Sequence, residues 1–189
     1  MMTTAAVIER VPAARAISVS DHRLTTERLV LRVVESGDFD HYLRLMTDPA
    51  VMKFIGLDAG KLPTEDEIRM ITEGAVSAWA TRGYGRWSVF DRQSGEFVGF
   101  SGFRCEGGVP ELISIVHERF WGNGYASEAA KAVLDYGFAE LGFHVVCSFT
   151  RPENERARAL LEKVGAEFTG CVDFHGVEGA AYRIHPPVN

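Results

Sequence analysis

The stretch Arg119-Phe120-Trp121-Gly122-Asn123-Gly124-Tyr125-Ala126-Ser127 has the residue types and spacing of an anion cradle. It follows an apolar, β-branched run (Leu112, Ile113, Ile115, Val116) and opens an amphipathic segment that reaches Leu141. A strand, a glycine turn and a helix start, in that order, let the backbone approach a phosphate and aim the first free helix amides at it. Two familiar phosphate sites do not fit. A dinucleotide fingerprint needs a third glycine, where this chain has Ser127, and it follows the first strand rather than a late one. A nucleoside-triphosphate loop needs a Gly-Lys-Ser/Thr ending, which the chain lacks.

Around this loop the periodicity of apolar residues predicts one α/β domain. Leu29, Leu31 and Val33 alternate with Arg28, Val30 and Arg32 in a first strand over 28–34. Asp38 is expected to cap a short helix, and Asp48-Pro49 reads as an N-cap followed by proline at the first helical position. Thr64 to Glu67 fits a capping box, and Ile68, Ile71, Ala75, Ala78 and Trp79 form a helical stripe that Gly83 closes. Residues 87–90 and 96–100 read as a hairpin, 111–116 as the strand before the glycine turn, and 144–150 as a further strand. Asn154 is expected to cap a helix with Ala157, Leu160, Leu161 and Val164 on its buried side, ending at Gly165. Residues 168–172 and 180–184 predict a closing hairpin. The order β-α-α-β-β-β-α-β-α-β-β describes a mixed central sheet with helices on both faces. Residues 1–22 read as a loose N-terminal extension and 23–189 as the domain.

The pattern Arg/Gln-x-x-Gly-x-Gly/Ala, matched by Arg119, Gly122 and Gly124, resembles the coenzyme A loop of the GNAT superfamily of N-acetyltransferases. The chain looks most similar to the branch of ribosomal-protein N-terminal acetyltransferases. Residues 24–32, 48–52, the pair 85–89 and 95–99, and Arg151-Pro152-Glu153-Asn154 with residues 161–165 resemble that branch's elements in order. The resemblance covers about Leu24 to Ile184. It implies a single GNAT-like domain with a splayed strand pair holding acetyl-CoA as co-substrate, and no metal. By resemblance the pyrophosphate lies on amides from Phe120 to Ser127 (Phe120, Trp121, Gly122, Asn123, Gly124, Tyr125, Ala126, Ser127). The pantetheine arm pairs along Ser114, Ile115 and Val116, and Asn154 bonds the arm. Arg119 either contacts the phosphates or is a solvated side chain. Asn154 has helix capping as its plain alternative.

Acetyl transfer to an amine requires a proton acceptor, because an ammonium has no lone pair and most primary amines are protonated at neutral pH. Glu111, at the start of the strand that enters the loop, matches an acidic family position and is the first choice, acting through water. His117 is second. Relatives carry Ser or Tyr on the helix after Asn154 as thiol acid, but this chain has Ala157 and Leu161 there. The thiolate then leaves through water or with the substrate's own proton, or Tyr125 substitutes as the acid, with Ser114 a weaker choice. The same departure keeps open a second class of function, an acyl-CoA-binding module without catalysis. A transferase for a longer acyl group is a third reading.

The acceptor side is less marked. Residues 53–62, 80–86 and 170–179 are expected rims, and Trp79, Tyr84, Trp87 and Phe174 are either pocket or core aromatics. A small-molecule amine and a protein N-terminus both remain open. The formal net charge of −6 argues against nucleic acid as partner, and no apolar run approaches a membrane span. Cys105, Cys147 and Cys171 lack metal-type spacing and read as reduced thiols of a cytoplasmic protein. A monomer or homodimer is expected.

Overall fold

The computed structural model describes residues 22–56, 60–106, 108–174 and 176–187. Most of the expected extension lies outside these residues. Its last member, His22, is buried and its carbonyl accepts from Trp87 Nε1 at 2.6 Å.

Eight strands form one sheet in the order β1-β2-β3-β4-β5-β6-β8-β7. They are β1 (Leu24–Thr25), β2 (Leu29–Val33), β3 (Arg86–Asp91), β4 (Phe97–Glu106), β5 (Val109–Val116), β6 (Val146–Thr150), β7 (Glu167–Phe174) and β8 (Val177–Ile184). The helices are α1 (Phe39–Met46), α2 (Pro49–Met52), α3 (Glu65–Arg82), α4 (Tyr125–Ala139) and α5 (Glu155–Lys163). Every neighbouring pair is antiparallel except β5 and β6. Helices cover both faces, as the sequence predicts. Tyr42 of α1 stacks on Phe100 at 5.0 Å. Phe103, of opposite parity on the same strand, meets α4 at Gly137, where a Cβ would lie 2.6 Å from its ring.

The local signals hold where they are self-contained. Thr64 and Glu67 exchange both bonds of a capping box, Asp48 Oδ1 accepts from the Ala50 amide, and Gly83 ends α3. Two expectations need correcting. Asp38 stands at the N-cap of α1 but makes no side-chain capping bond to that helix. It is buried instead, accepting from Arg32, from Ser88 Oγ at 2.6 Å and from the Glu35 amide at 3.0 Å. Strands β4 and β5 are longer than the apolar runs suggest, paired from Gly99 with Val116 to Glu106 with Val109. Pro110 fits inside β5 because its nitrogen faces away from β4, so no ladder bond is lost.

Trp79, Tyr84 and Trp87 belong to the core rather than to a pocket. Trp87 is fully buried, edge-on to Trp79 at 4.6 Å, and Trp79 Nε1 donates to the Arg86 carbonyl at 2.9 Å. Both indole N–H groups are therefore satisfied inside the core. The side chain of Phe174 lies outside the described residues.

Candidate active site

The parallel pair β5/β6 is joined at a single register, Glu111 to Cys147. Just beyond it Ser148 Oγ donates to the Leu112 carbonyl at 3.0 Å, and from there the strands part. The ladder with β4 fixes which backbone groups the gap receives. His117 N donates to Val98 O, so in the antiparallel alternation residues 115 and 113 also face β4. Leu112, Ser114 and Val116 then turn their amides and carbonyls into the gap. Trp121 Nε1 closes its far end with a 3.0 Å bond to the Val116 carbonyl. With the Leu112 and Val116 carbonyls already bonded, an extended polar arm laid between the strands meets the Ser114 amide and carbonyl at the centre of the gap.

Beyond Val116 the chain makes a 3-10 turn over Glu118–Phe120 and enters α4 through Gly122 and Gly124, at φ of 75° and 79°. These left-handed conformations strain any residue with a Cβ. Among the described residues no side chain caps α4, whose first regular bond runs from Glu128 N to Gly124 O. The amides of Tyr125, Ala126 and Ser127 thus point out of the helix end, as a bound anion requires.

The charges that flank this end are ones the sequence reading missed. Arg28 donates to the Asn123 carbonyl at 2.9 Å, is paired with Glu128 at 2.7 Å and lies over the Tyr125 ring. A Cβ on Gly124 would be 3.5 Å from Arg28 Nη2 and 3.7 Å from Lys163 Nζ. A concave site of about 420 Å³ joins these groups with Gly122, Ser127 and Lys131. Arg119 is elsewhere: it is paired with Glu96 at 3.3 Å, both side chains exposed.

On the other side of the gap lies a cavity of about 860 Å³. The edge of β5 from Glu111 to Ile115, residues 148–151 and the start of α5 bound it on one side. Met46, Met52, Phe54, Met70 and Ile71 bring apolar surface from the helical layer. Parts of the expected rims, Phe54 to Leu62 and Val177 to Gly179, do border it, with residues 57–59 outside the described ones. Glu111 reaches the floor with 1% of its surface exposed. Arg104 grips both of its oxygens, Nε to Oε2 at 2.6 Å and Nη2 to Oε1 at 3.0 Å.

The remaining candidates spread out. Asn154 borders the cavity, and its Oδ1 accepts from the Ala157 amide at 3.2 Å. An amide can cap with its oxygen and donate with its nitrogen, so both expected roles are compatible. Ala157 and Leu161 line the same wall and offer no proton. His117 stands outside this cavity, edge-on to Phe97, and burial, helped by the Arg119 charge, lowers its pKa. Tyr125 donates to Asp91 Oδ2 at 2.9 Å, a bond that raises its pKa and turns its hydroxyl toward the β3–β4 turn. It does not border the cavity. Ser114 borders the cavity, and its Oγ is buried without a hydrogen-bond partner among the described residues. Among the described residues no group of three or more His, Cys, Asp or Glu is placed to hold a metal. No helix of the described residues is long and apolar enough to cross a membrane.

Comparison with known proteins identifies the family. The model of the acetyltransferase (GNAT) domain matches residues 28–167. The chain is 30% identical over 168 residues to p20, an uncharacterized N-acetyltransferase of Bacillus licheniformis, covering 86% of this chain and 92% of that one. It superposes with a TM-score of 0.77 and 26% identity on the crystal structure of an acetyltransferase from Agrobacterium tumefaciens, covering 91% and 99% of the two chains. A RimL ribosomal L7/L12 α-N-protein acetyltransferase, solved with coenzyme A, superposes with a TM-score of 0.72 at 16% identity, covering 86% and 96%. At that identity the likeness to the ribosomal-protein branch is one of fold alone.

Proposed function

Because the chain belongs to the GNAT family of acetyl-CoA-dependent N-acetyltransferases, we propose that it transfers acetyl directly from acetyl-CoA to a primary amine held in the large cavity. The observation that carries this reading is that β5 borders the cavity with Glu111 to Ile115, keeps a single register with β6, and leads through the 3-10 turn to the uncapped start of α4. The pyrophosphate lies on the amides of Gly122 to Ser127, and Arg28 and Lys163 offset its charge. The arm lies along Leu112 to Val116, which brings the thioester to the cavity.

In the reaction, the amine nitrogen attacks the thioester carbon, and the oxygen that gains charge receives the Ser114 N–H from the free edge of β5. Glu111 is the base, reached through water. Its pairing with Arg104 holds it still, so it orders the water and the amine as well as drawing off the proton. Collapse breaks the carbon–sulfur bond, and the proton left on nitrogen passes to the thiolate. This route needs no acid from α5, which accords with Ala157 and Leu161. The test is the initial rate of thiol release from acetyl-CoA over a panel of small amines, amino acids and peptides, with the product identified by mass. Amine-dependent release with an acetylated product is expected. Tight coenzyme A binding with no release across the panel favours the binding-module reading.

A further inference from the structure

The floor of the cavity carries one more positive charge than its use as a simple amine site requires. Arg86 opens β3 opposite Gly102, and residues 86, 100, 102 and 104 share one face of the sheet. Gly102 contributes no side chain, so Arg86 is flanked there by Phe100, whose ring its guanidinium overlies at 5.1 Å, and by Arg104. Arg104 is matched by Glu111. Among the described residues no carboxylate forms an ion pair or hydrogen bond with Arg86, although its side chain borders the cavity. Packing removes most of its water, and that desolvation lowers its pKa. Glu111 acts on it from a distance but is held by Arg104, and a desolvated guanidinium without an ion-pair partner of its own is unfavourable until an anion meets it.

On the reading of this cavity as the acceptor site, we propose that Arg86 receives a carboxylate of the acceptor. The substrate is then a compact molecule carrying both a primary amine and a carboxylate on an apolar body. The planar fork of Arg86 suits two parallel bonds to a carboxylate. The body meets Met46, Met52, Phe54, Met70 and Ile71, a flexible apolar wall. Neighbouring strands lie about 4.8 Å apart, so an arginine two strands from β5 reaches the opposite end of a molecule whose amine is at the Ser114 amide. The excess positive charge also opposes an ammonium, which favours the neutral, attacking form of the amine.

The test has a binding arm and a turnover arm. Calorimetry of the coenzyme A-loaded protein compares 3-phenylpropionate with 3-phenylpropionamide in wild type, Arg86→Gln and Arg86→Lys. Wild type is expected to bind the acid about tenfold or more tightly than the amide. Arg86→Gln should abolish that preference and Arg86→Lys keep part of it, with coenzyme A affinity unchanged. Turnover compares 4-(aminomethyl)benzoate and 6-aminohexanoate, whose amine and carboxylate lie at opposite ends, with 4-methylbenzylamine and hexylamine, where the acids should have the higher kcat/KM. A wild type without preference for the acid in either arm, or an Arg86→Gln protein that retains it, overturns the assignment. If no amine is acetylated yet the acid still binds through Arg86, the transferase reading fails and this one stands. If amines are acetylated regardless of a carboxylate, the reverse holds.

Discussion

Replacing Gly124 by glutamate puts a carboxylate at the mouth of the cradle and separates its effects on folding and binding. With φ at 79°, a non-glycine residue here costs about 1–2 kcal/mol of backbone strain. A Cβ at this position lies 3.5 Å from Arg28 Nη2 and 3.7 Å from Lys163 Nζ, ordinary contacts rather than clashes. New surface pairs with these two cations recover about 0–1 kcal/mol. The net change near 1 kcal/mol lowers the melting point by about 2–4 °C for a domain of this size. Binding changes much more. A charge about 4 Å from a diphosphate opposes it by about 4 kcal/mol at an effective dielectric of ~20, before screening by salt. At about 1.4 kcal/mol per decade, the coenzyme A Kd rises by about 100- to 1,000-fold. Gly124→Gln supplies the strain and the bulk without the charge. Calorimetric titration of both variants at low and at high salt, beside thermal melts, reads each quantity. A Gly124→Glu protein within about threefold of wild type at low salt refutes the cradle. Equal losses in Glu and Gln variants would show that bulk rather than charge is responsible.

Three further outcomes are expected. Glu111→Gln should lower kcat for amine acetylation by about 100-fold or more at neutral pH, with coenzyme A affinity kept; an unchanged pH–rate profile in a folded variant removes Glu111 as base. Gly137→Ala forces a Cβ within 2.6 Å of Phe103 and 3.1 Å of Phe143, and overpacking of this kind costs about 1–3 kcal/mol, visible as a lower denaturation midpoint at unchanged m. For Asp38, burial pushes the pKa up, but hydrogen bonds from Arg32, Ser88 and the Glu35 amide outweigh it and hold the carboxyl below its usual value. With the folded pKa depressed, its stabilisation is full above the unfolded value near ~4 and is lost as pH falls through the folded one. Melts of wild type and Asp38→Asn should therefore converge below about pH 4; parallel curves contradict the assignment.

What the sequence disclosed divides by chain distance. The capping box at Thr64 and Glu67, the Asp48 cap and the glycine entry to α4 are made by residues a few positions apart, and each is legible from residue type. The flanks of the cradle are not. Arg28 meets Glu128 across 100 positions, and nothing in an alternating strand marks one of its arginines as a partner of a distant helix. Asp38 shows the opposite error: an aspartate before an apolar run reads as a cap, yet Ser88, 50 positions on, draws it inward. Strand lengths from 101 to 110 were hidden by glycine and proline, which usually interrupt strands and here sit at a close approach of β3 (Gly102) and at a position where no bond to β4 is made (Pro110). Nothing local in the sequence singles out Arg86, and only the fold shows what surrounds it.

Direct transfer within one ternary complex is the central claim, and intact-protein mass combined with thiol titration tests it. Incubated with acetyl-CoA alone, the protein should keep its unmodified mass and release no thiol beyond slow hydrolysis. Addition of a competent amine should then yield one thiol for each acetylated amine. A stoichiometric acetyl-protein formed before the amine is added, or thiol released without acetylated amine, contradicts it.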